Sequence, residues 1–259
     1  MPERIKNQFR LDGKVAIITG SSKGIGESIA RGLAEFGARV IVSSRKQEAV
    51  DAVAESFRQD ELEATGIACH VGDEEQLKKL VQKTVEIYGG VDILVNNAAT
   101  NPVFGPIAEA DSGVFDKIMG INLKACFSLA NHCYPVMKKR GGGSVINISS
   151  VEGLKPSFGL GLYSISKAAL LMLTKNQAKE WGRDGIRSNA ICPGLIKTKF
   201  STAIWQNEAL LKQIEKNLPA GRMALPEEMA GLAVFLASPA SSYCTGGVFA
   251  ADGGLVIAG

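Results

Sequence analysis

The stretch VAIITGSSKGIGESIARGLAEFG, residues 15–37, contains the pattern that decides the fold. Its apolar run 15–18 predicts a short strand, and the lack of alternation is typical of a parallel sheet covered on both faces. Gly20, Gly24 and Gly26 then lead into a helical pattern of apolar residues. A glycine-rich turn between a strand and a helix lets backbone N–H groups approach a pyrophosphate. The stretch therefore predicts a dinucleotide site, whereas the glycines alone would also suit a plain tight turn.

Strand and helix patterns alternate along the rest of the chain without a linker, a repeat or a low-complexity break. Asp73 is a typical helix N-cap, and Pro135 is expected to bend or end a long helix near residues 114–137. The alternation predicts an α/β fold in which one doubly wound sheet forms a single domain over residues 1–259. The predicted strands are 15–18, 39–43, 65–69, 91–95, 145–148, 186–191 and 247–250, and further helices are predicted at 163–181 and 227–237.

The end of the second predicted strand indicates which nicotinamide dinucleotide fits the site. NAD sites usually carry an acid about 20 residues after the glycines, where it binds the ribose hydroxyls. Here Ser44 stands 24 residues after Gly20, and Arg45 and Lys46 follow it. A ribose phosphate adds about 1.5 to 2 negative charges, which an acid would repel and an arginine fork binds. The pattern favours NADP(H), with Lys23 as further support; a solvated helix start is the alternative.

The composition is that of an ordinary globular protein, and it argues against several functional classes. Apolar residues make up 46% of the 259 residues, charged residues make up 21%, and the net charge is +3. This charge is too small and too scattered to indicate nucleic acid or a membrane surface as a partner. No apolar run approaches the roughly 18 residues that span a bilayer. Only two histidines are present, so we expect no metal site built from histidines.

The cysteines and the N-terminal sequence indicate the compartment. The five cysteines are dispersed, odd in number and free of Cys-x-x-Cys, which favours reduced thiols. Residues 1–14 lack the apolar core of a signal peptide. We therefore expect a cytoplasmic protein.

A tyrosine and a lysine at helical spacing mark the expected centre of the chemistry. Tyr163 and Lys167 lie four residues apart at the start of a predicted helix, so their side chains share one face. An ammonium at this distance favours the phenolate and is expected to lower the tyrosine pKa from about 10. Ser150 ends the preceding strand pattern and offers a hydroxyl at its carboxyl end. The Tyr–Lys spacing also arises by chance, so its meaning depends on the surrounding motifs.

Those motifs identify a family. Over residues 11–254 the chain resembles the short-chain dehydrogenases/reductases. Within the family, residues 43–47, 69–72, 97–102 and 193–198 look most like the NADPH-dependent retinol dehydrogenase/carbonyl reductase branch. One departure is His70, which stands where many members have an aspartate that contacts the adenine. The matching motifs are Thr19-Gly20…Gly24-Ile25-Gly26, Asn96-Asn97-Ala98, Asn122, Ser150 thirteen residues before Tyr163, Pro193-Gly194…Thr198 and Asp252-Gly253-Gly254.

The resemblance implies a seven-stranded sheet in the order 3-2-1-4-5-6-7, with the cofactor at the carboxyl ends of the strands. It implies that Tyr163 is the proton donor to a carbonyl oxygen, or the base in the alcohol direction. Lys167 would lower the tyrosine pKa and bind the nicotinamide ribose, Ser150 would orient the substrate oxygen, and Asn122 would support a water-linked proton relay. The implied NADP(H) site comprises Gly20, Ser22, Lys23, Gly24, Ile25, Gly26, Ser44, Arg45, Lys46, His70, Val71, Asn97, Ala98, Ala99, Tyr163, Lys167, Pro193, Gly194, Ile196 and Thr198.

The substrate pocket is expected between the loop after Asn97, residues 151–162, and the segment 194–220, which covers the cofactor in relatives as a lid. Mostly apolar candidate walls favour a cyclic, aromatic or aliphatic ketone over a sugar. Glu152 either binds a polar substituent or is simply solvated. The predicted substrate residues are Glu152, Phe158, Leu195 and Trp205, and further candidate walls are Pro102, Phe104, Phe200 and Ile204.

The expected partners are a small carbonyl or alcohol substrate and further copies of the chain, because relatives are usually homotetramers. One alternative activity is reduction of 3-oxoacyl thioesters on a carrier protein. A non-catalytic dinucleotide-binding regulator is an alternative of another class, and the intact set of four expected catalytic residues argues against it. The apolar residues Ala125, Cys126, Leu129, Leu170, Met172 and Ala178 suit a subunit interface or the core.

Overall fold

Seven parallel strands form one sheet in the order β3-β2-β1-β4-β5-β6-β7, and the computed structural model describes residues 4–258. Every neighbouring pair of strands is parallel. This architecture confirms the predicted single Rossmann-type domain and its strand order. The strands are β1 (Val15–Thr19), β2 (Arg39–Ser44), β3 (Ala64–Ala68), β4 (Ile93–Asn96), β5 (Gly143–Ile148), β6 (Ile186–Pro193) and β7 (Val248–Ala251).

Helices cover both faces of the sheet. They are α1 (Gly24–Glu35), α2 (Gln47–Gln59), α3 (Glu74–Tyr88), α4 (Ser112–Met119), α5 (Ala125–Lys139), α6 (Gly161–Trp181), α7 (Thr202–Trp205), α8 (Glu208–Asn217) and α9 (Ala230–Ala237). One apolar cluster joins α1, α2 and α9 to one face, and another joins α3 and α5 to the opposite face. Ala16 and Ile18 belong to the first cluster and Ile17 to the second, which explains why the strands lack alternation. Among residues 4–258, no helix combines the length and apolar character needed to cross a bilayer.

The helical region that contains Pro135 differs from the expectation. Pro135 lies inside α5 and does not end it. Pro135 has no N–H to bond the backbone carbonyl four residues before it. Its ring faces solvent, so this carbonyl is on the hydrated side of the helix. The irregularity falls earlier, at a π-helical turn, Gly120–Lys124, between α4 and α5. The last helix also differs, because a 3-10 turn at Pro226–Met229 precedes it.

Asp92 fastens the start of β4 to its surroundings. Its carboxylate is almost fully buried and accepts a hydrogen bond from the backbone N–H of Val15 at 2.9 Å. Two guanidinium nitrogens of Arg140, just after α5, also donate to it at 2.9 Å each. One side chain therefore joins β1, β4 and α5, and this fixes the strands whose far ends carry the candidate site.

We expect Asp92→Asn to lower the free energy of unfolding by about 2–3 kcal/mol, because the buried side chain at position 92 loses the charge that pairs with Arg140. Urea unfolding of the wild type and the variant measures the difference. The matched control is Asp12→Asn, which removes a similar two-bond contact with Arg10 at an exposed site. We expect no measurable change there. Equal stabilities for Asp92→Asn and the wild type would contradict this role of Asp92.

Candidate active site

The carboxyl ends of β1 and β4 meet at the predicted dinucleotide site. β1 lies between β2 and β4, and ligands of such folds bind where the strand order reverses in this way. The Thr19 hydroxyl accepts hydrogen bonds from the backbone N–H groups of Asn97 and Ala98 at 3.0 and 3.1 Å. The Asn97 amide donates in return to the carbonyls of Thr19 and Gly20 at 2.9 and 3.1 Å. The loop after β4 is thus fastened to the glycine turn.

The glycine turn adopts a conformation that few other residues allow. Gly20 and Gly24 have φ values of +65° and +61°, in the left-handed region. A Cβ atom on Gly26 would lie 2.5 Å from the carbonyl oxygen of Gly20 and would overlap the Asn97 amide. The backbone therefore turns closely into the N-terminus of α1, with the predicted residues Ser22, Lys23 and Ile25 at least partly exposed around it. This backbone fits the pyrophosphate of a dinucleotide.

The basic residues after β2 are available to a ligand. Ser44 is half-buried at the end of the strand, whereas Arg45 and Lys46 are exposed. Within residues 4–258, neither basic side chain forms an ion pair. Gln47 begins α2 and exchanges two hydrogen bonds with the backbone of β3, at 3.0 and 2.9 Å. Gln47 therefore fixes the position from which Arg45 extends.

The loop after β3 holds the two residues predicted near the adenine. The ring Nδ1 of His70 accepts a hydrogen bond from the backbone N–H of Gly72 at 3.2 Å, so the ring folds back on its own loop. The backbone N–H of His70 donates to the side chain of Gln76 at 2.9 Å. Val71 is half-buried beside it. Gln76 is in turn bonded to Asp73, which caps α3 as predicted.

Tyr163 and Lys167 lie one turn apart on α6, and both are buried. Only 9% of Tyr163 and 2% of Lys167 is exposed. The Lys167 Nζ atom lies 5.6 Å from the centre of the Tyr163 ring and donates a hydrogen bond to the carbonyl oxygen of Ile148 at 2.7 Å. Ser150 follows β5, and its hydroxyl accepts a hydrogen bond from the backbone N–H of Glu152 at 3.1 Å. The three predicted residues therefore meet at the carboxyl end of β5.

Burial controls the acid–base properties of this pair. It raises the pKa of Tyr163 to about 12, against the opposing effect of hydrogen bonding with Ser150. Burial also lowers the pKa of Lys167 to about 8. The expected lowering of the tyrosine pKa by Lys167 is therefore not found, because desolvation dominates and the ammonium is directed to Ile148. At neutral pH Tyr163 holds its proton, which suits a general acid.

Asn122 lies in the π-helical turn and is 1% exposed. Its side chain accepts a hydrogen bond from the backbone N–H of Thr100 at 2.8 Å and donates to the carbonyl of Thr100 at 3.0 Å. It also donates to the hydroxyl of Ser166 at 3.0 Å. Asn122 therefore joins the loop after β4 to α6 at the residue that precedes Lys167.

The segment 194–220 passes over both parts of the site. The methyl group of Thr198 lies 3.5 Å from the point where a Cβ of Gly24 would be. The ring of Phe200 lies 5.8 Å from the ring of Tyr163, measured between centroids. One short stretch of chain thus covers the glycine turn and the tyrosine together.

This segment leaves the sheet through a tight passage. Pro193 is the last residue of β6, and a Cβ on Gly194 would lie 2.6 Å from the Cα atom of Asp252. Ile196 is buried and pairs with Ala224 in an isolated bridge. The start of the segment is therefore firmly anchored beside the candidate site.

The four predicted substrate residues have different surroundings. Glu152 is hydrogen-bonded within its own loop, and the indole N–H of Trp205 donates to a backbone carbonyl of the segment 194–220 at 2.8 Å. Phe158 is 79% exposed, and Leu195 is partly exposed at the start of the segment. Among the candidate walls, Phe200 lies against Tyr163.

Sequence reasoning missed four polar residues that position the site: Gln47, Gln76, Thr100 and Ser166. A sequence signal existed for Gln76, which stands three residues after Asp73 in the spacing of a capping box. Ser166 directly precedes Lys167, but its bond to Asn122 depends on a contact 44 residues apart. The side chain of Gln47 bonds the backbone of β3, and the backbone of Thr100 bonds the side chain of Asn122. No local pattern indicates such bonds.

The comparisons with known proteins agree with this geometry. A family model described as "Enoyl-(Acyl carrier protein) reductase" matches residues 20–256. "Dehydrogenase/reductase SDR family member 4" of Oryctolagus cuniculus is 46% identical over 244 residues, which cover 94% of each chain. Its Sus scrofa counterpart is 47% identical over 250 residues, which cover 96% of this chain and 90% of the relative.

Solved structures of related proteins have the same fold over nearly the whole chain. A gluconate 5-dehydrogenase from Burkholderia cenocepacia, in complex with NADP and tartrate, superposes with a TM-score of 0.95 at 35% identity and covers 99% of this chain and 100% of its own. A 7α-hydroxysteroid dehydrogenase complexed with NADH and 7-oxo glycochenodeoxycholic acid has a TM-score of 0.92 at 33% identity, with 96% of each chain covered. Fold and site define an oxidoreductase of the Rossmann type. The chain belongs to the short-chain dehydrogenase/reductase family, and its relatives are consistent with the predicted branch.

Proposed function

We propose that the protein transfers a hydride between NADP(H) and a ketone or secondary alcohol, with Tyr163 as the general acid or base. The observation that carries the proposal is the buried arrangement of Tyr163, Ser150 and Lys167 beneath Phe200. Bound NADPH supplies the hydride, so the chain has to supply a proton and stabilise the negative charge that grows on the carbonyl oxygen. The hydroxyl groups of Tyr163 and Ser150 are the donors for this task.

Lys167 and Asn122 support the proton transfer. With a pKa of about 8, Lys167 is mostly protonated at neutral pH and can donate to a ribose hydroxyl as well as to Ile148. Asn122 holds Thr100 and Ser166 and so fixes the polar surroundings through which a water-linked relay would reach Lys167. A proton taken from solvent would pass along this relay and Lys167 and replace the one that Tyr163 gives up.

The choice of NADP(H) rests on charge. Arg45, Lys46 and Lys23 are exposed at the edge of the glycine turn, and Ser44 stands where an acid would repel a phosphate. One structural relative was solved with NADP and another with NADH, so relatedness alone does not decide between the two cofactors.

We expect Arg45→Glu to raise the Kd of NADPH about 30-fold or more and to change the Kd of NADH by less than about threefold. The charge reversal removes the guanidinium fork and repels the ribose phosphate, a group that NADH lacks. Fluorescence titration of both reduced cofactors measures the ratio. Arg183→Glu, an exposed arginine beyond the far end of α6, serves as the control for the change of net charge. A preference for NADH in the wild type would refute the argument.

A small, largely apolar ketone is the proposed substrate class, and the segment 194–220 is the proposed lid. Phe200 against Tyr163 and exposed Phe104 and Phe158 nearby support an apolar wall. The family description names an acyl carrier protein and so supports acyl thioesters, the broader class of the 3-oxoacyl alternative, as a second candidate. The gluconate 5-dehydrogenase among the structural relatives supports hydroxy acids.

Absorbance of the reduced nicotinamide, followed with NADPH and NADH against panels of ketones, sugar acids and acyl thioesters, tests the proposal. We expect oxidation of NADPH with ketones. Turnover confined to acyl thioesters would favour the second candidate. Absence of turnover with every panel, together with tight cofactor binding, would favour a non-catalytic regulator.

We further propose that the protein forms a homotetramer and is located in the cytoplasm. Of the six apolar residues expected at an interface or in the core, only Met172 is exposed, at 57%, and the other five are buried within the subunit. Phe127 on α5 and Ile165 on α6 are also exposed, and these apolar side chains support association through the α5 and α6 faces. All five cysteines are free thiols, which supports a reducing compartment.

A further inference from the structure

We infer that Glu152 is a positioning residue whose carboxylate fastens the loop 154–160 to the first turn of α6 and thereby holds the substrate wall beside Tyr163. The inference rests on the proposed function for its consequence in catalysis. Its structural part, the clamp between Glu152, Ser157 and Ser164, stands on the geometry alone.

Three donors converge on the Glu152 carboxylate from two separate elements. The hydroxyl of Ser157 donates to Oε1 at 2.6 Å, and the backbone N–H of Ser157 donates to Oε2 at 2.9 Å. The hydroxyl of Ser164, on α6, lies 2.9 Å from the same Oε2 and 3.0 Å from the carbonyl oxygen of Leu160, so its one hydrogen is shared between these two acceptors. Both oxygens of the carboxylate therefore have partners, and such hydrogen bonds to a charged acceptor are stronger than neutral ones. This arrangement differs from the simply solvated side chain that the sequence left open.

The positions of these residues relate the clamp to the chemistry. Glu152 lies two residues after Ser150, and its backbone N–H donates to the Ser150 hydroxyl at 3.1 Å. Ser164 is 5% exposed and directly follows Tyr163. The carboxylate thus connects the loop 154–160 to the neighbourhood of Ser150 and Tyr163, the two expected proton donors.

The opposite end of the loop has its own attachment. The backbone N–H of Gly105 donates to the carbonyl of Gly159 at 3.1 Å. The ring of Phe104 lies on Gly159 so closely that a Cβ there would be 2.7 Å from it. The start of the loop is held by the backbone N–H groups of Leu154 and Lys155, which donate to the carbonyl of Val151 at 2.8 and 2.9 Å, and Lys155 Nζ donates to the carbonyl of Ala258 at 3.1 Å. The Glu152 clamp is the attachment at Ser157, between these two ends.

Glu152 also influences Tyr163 through its charge. The carboxylate adds to the rise of the Tyr163 pKa that burial causes. A substitution that removes the charge therefore shifts the phenol titration to lower pH, whereas a substitution that removes only a hydroxyl donor does not. This difference distinguishes the effect of the Glu152 charge on Tyr163 from the effect of the clamp on the loop.

The experiment compares Glu152→Ala, Glu152→Gln and Ser164→Ala with the wild type. We expect Glu152→Ala to raise KM for the ketone about tenfold, the loss expected for one hydrogen bond to a charged group, with kcat and the Kd of NADPH within about threefold. Glu152→Gln keeps an acceptor oxygen and is expected to restore part of the loss. Ser164→Ala is expected to raise KM about threefold. Glu109→Ala, an exposed acid on the neighbouring loop, is the control.

A double-mutant cycle distinguishes the clamp from a direct substrate contact. If Glu152 acts through Ser164, the KM effects of Glu152→Ala and Ser164→Ala are not additive in the double variant. As the pH is raised, the rate of alcohol oxidation should begin to increase at a lower pH in Glu152→Ala and Glu152→Gln than in the wild type. Ser164→Ala should keep the wild-type pH profile. Additive KM effects, or no change of KM in Ser164→Ala, would overturn the inference in favour of a direct contact.

Amide hydrogen exchange tests the clamp independently of turnover. We expect faster exchange at residues 154–160 in Glu152→Ala than in the wild type, and no change there in Glu109→Ala. Unchanged exchange would overturn the inference whatever the activity. A wild type without ketone reductase activity but with the expected exchange difference would refute the proposed function and leave the clamp established.

Discussion

Replacement of Tyr163 by phenylalanine is expected to lower kcat about 1000-fold while the Kd of NADPH changes by less than about threefold. The variant lacks the hydroxyl that we propose as the proton donor to the carbonyl oxygen, and general acid catalysis contributes about 10² to 10⁴ in rate. Ser150 can still donate a hydrogen bond, but it does not share a helix face with Lys167. Phenylalanine retains the ring that packs against Phe200, so we expect the fold and the lid position to be unaffected.

Steady-state kinetics and fluorescence titration with NADPH measure both parts of this prediction. The matched control is Tyr243→Phe, because Tyr243 is fully exposed and far from the expected chemistry in the chain. We expect wild-type kinetics for the control. A Tyr163→Phe enzyme with near-normal kcat would remove Tyr163 from the mechanism and leave Ser150 or a water molecule as the proton donor.

The fold could be predicted because its signals are local. The apolar run 15–18, the glycine turn and the helical pattern after it follow one another directly, and β2, β4, β5 and β6 repeat the buried signature of β1. The adjacency of β1 and β4 is not a local property, and only the family resemblance supplied it. The π-helical turn at Gly120–Lys124 was not predicted, because it depends on bonds between Asn122 and a distant loop.

The properties of the site were harder to predict than its members. Spacing placed Tyr163 and Lys167 on one helix face, but their pKa values depend on burial, which the sequence does not reveal. Glu152 illustrates the same limit, because its partners Ser157 and Ser164 become neighbours only when the loop folds back on α6. Sequence reasoning identifies residues that can do chemistry, whereas the direction of each side chain follows from tertiary packing.

The segment 194–220 shows that tertiary packing decides which of its aromatic residues lies beside Tyr163. Phe200 and Trp205 are both aromatic residues in the segment 194–220, and the sequence analysis names Trp205 as a substrate residue and Phe200 as a further candidate wall. In the structure the Trp205 indole is bonded to the carbonyl of Thr198 at 2.8 Å, and Lys197 lies over its ring. Trp205 therefore packs within the segment 194–220, while Phe200 occupies the place beside Tyr163.

Substitution of Gly26 by alanine is expected to weaken NADPH binding at least about 100-fold, although the change adds only one methyl group. The new Cβ would lie 2.5 Å from the carbonyl oxygen of Gly20 and would overlap the side-chain amide of Asn97. The Asn97 amide is the group that fastens the loop after β4 to the glycine turn, with bonds of 2.9 and 3.1 Å to the carbonyls of Thr19 and Gly20. Either the turn or this loop has to move, and both are needed where a pyrophosphate meets the N-terminus of α1.

The matched control for Gly26→Ala is Gly231→Ala in α9, where no atom lies within 4 Å of the added methyl group. There alanine is expected to stabilise the protein by about 0.5–1 kcal/mol, because glycine is unfavourable inside a helix. At position 26 the same exchange is expected to lower stability by about 1–3 kcal/mol through overpacking. Thermal unfolding and NADPH titration of both variants separate the general effect of the methyl group from its effect on the turn. Normal NADPH affinity in Gly26→Ala would mean that the turn can relax around a methyl group, and that close backbone approach at Gly26 is not what binds the cofactor.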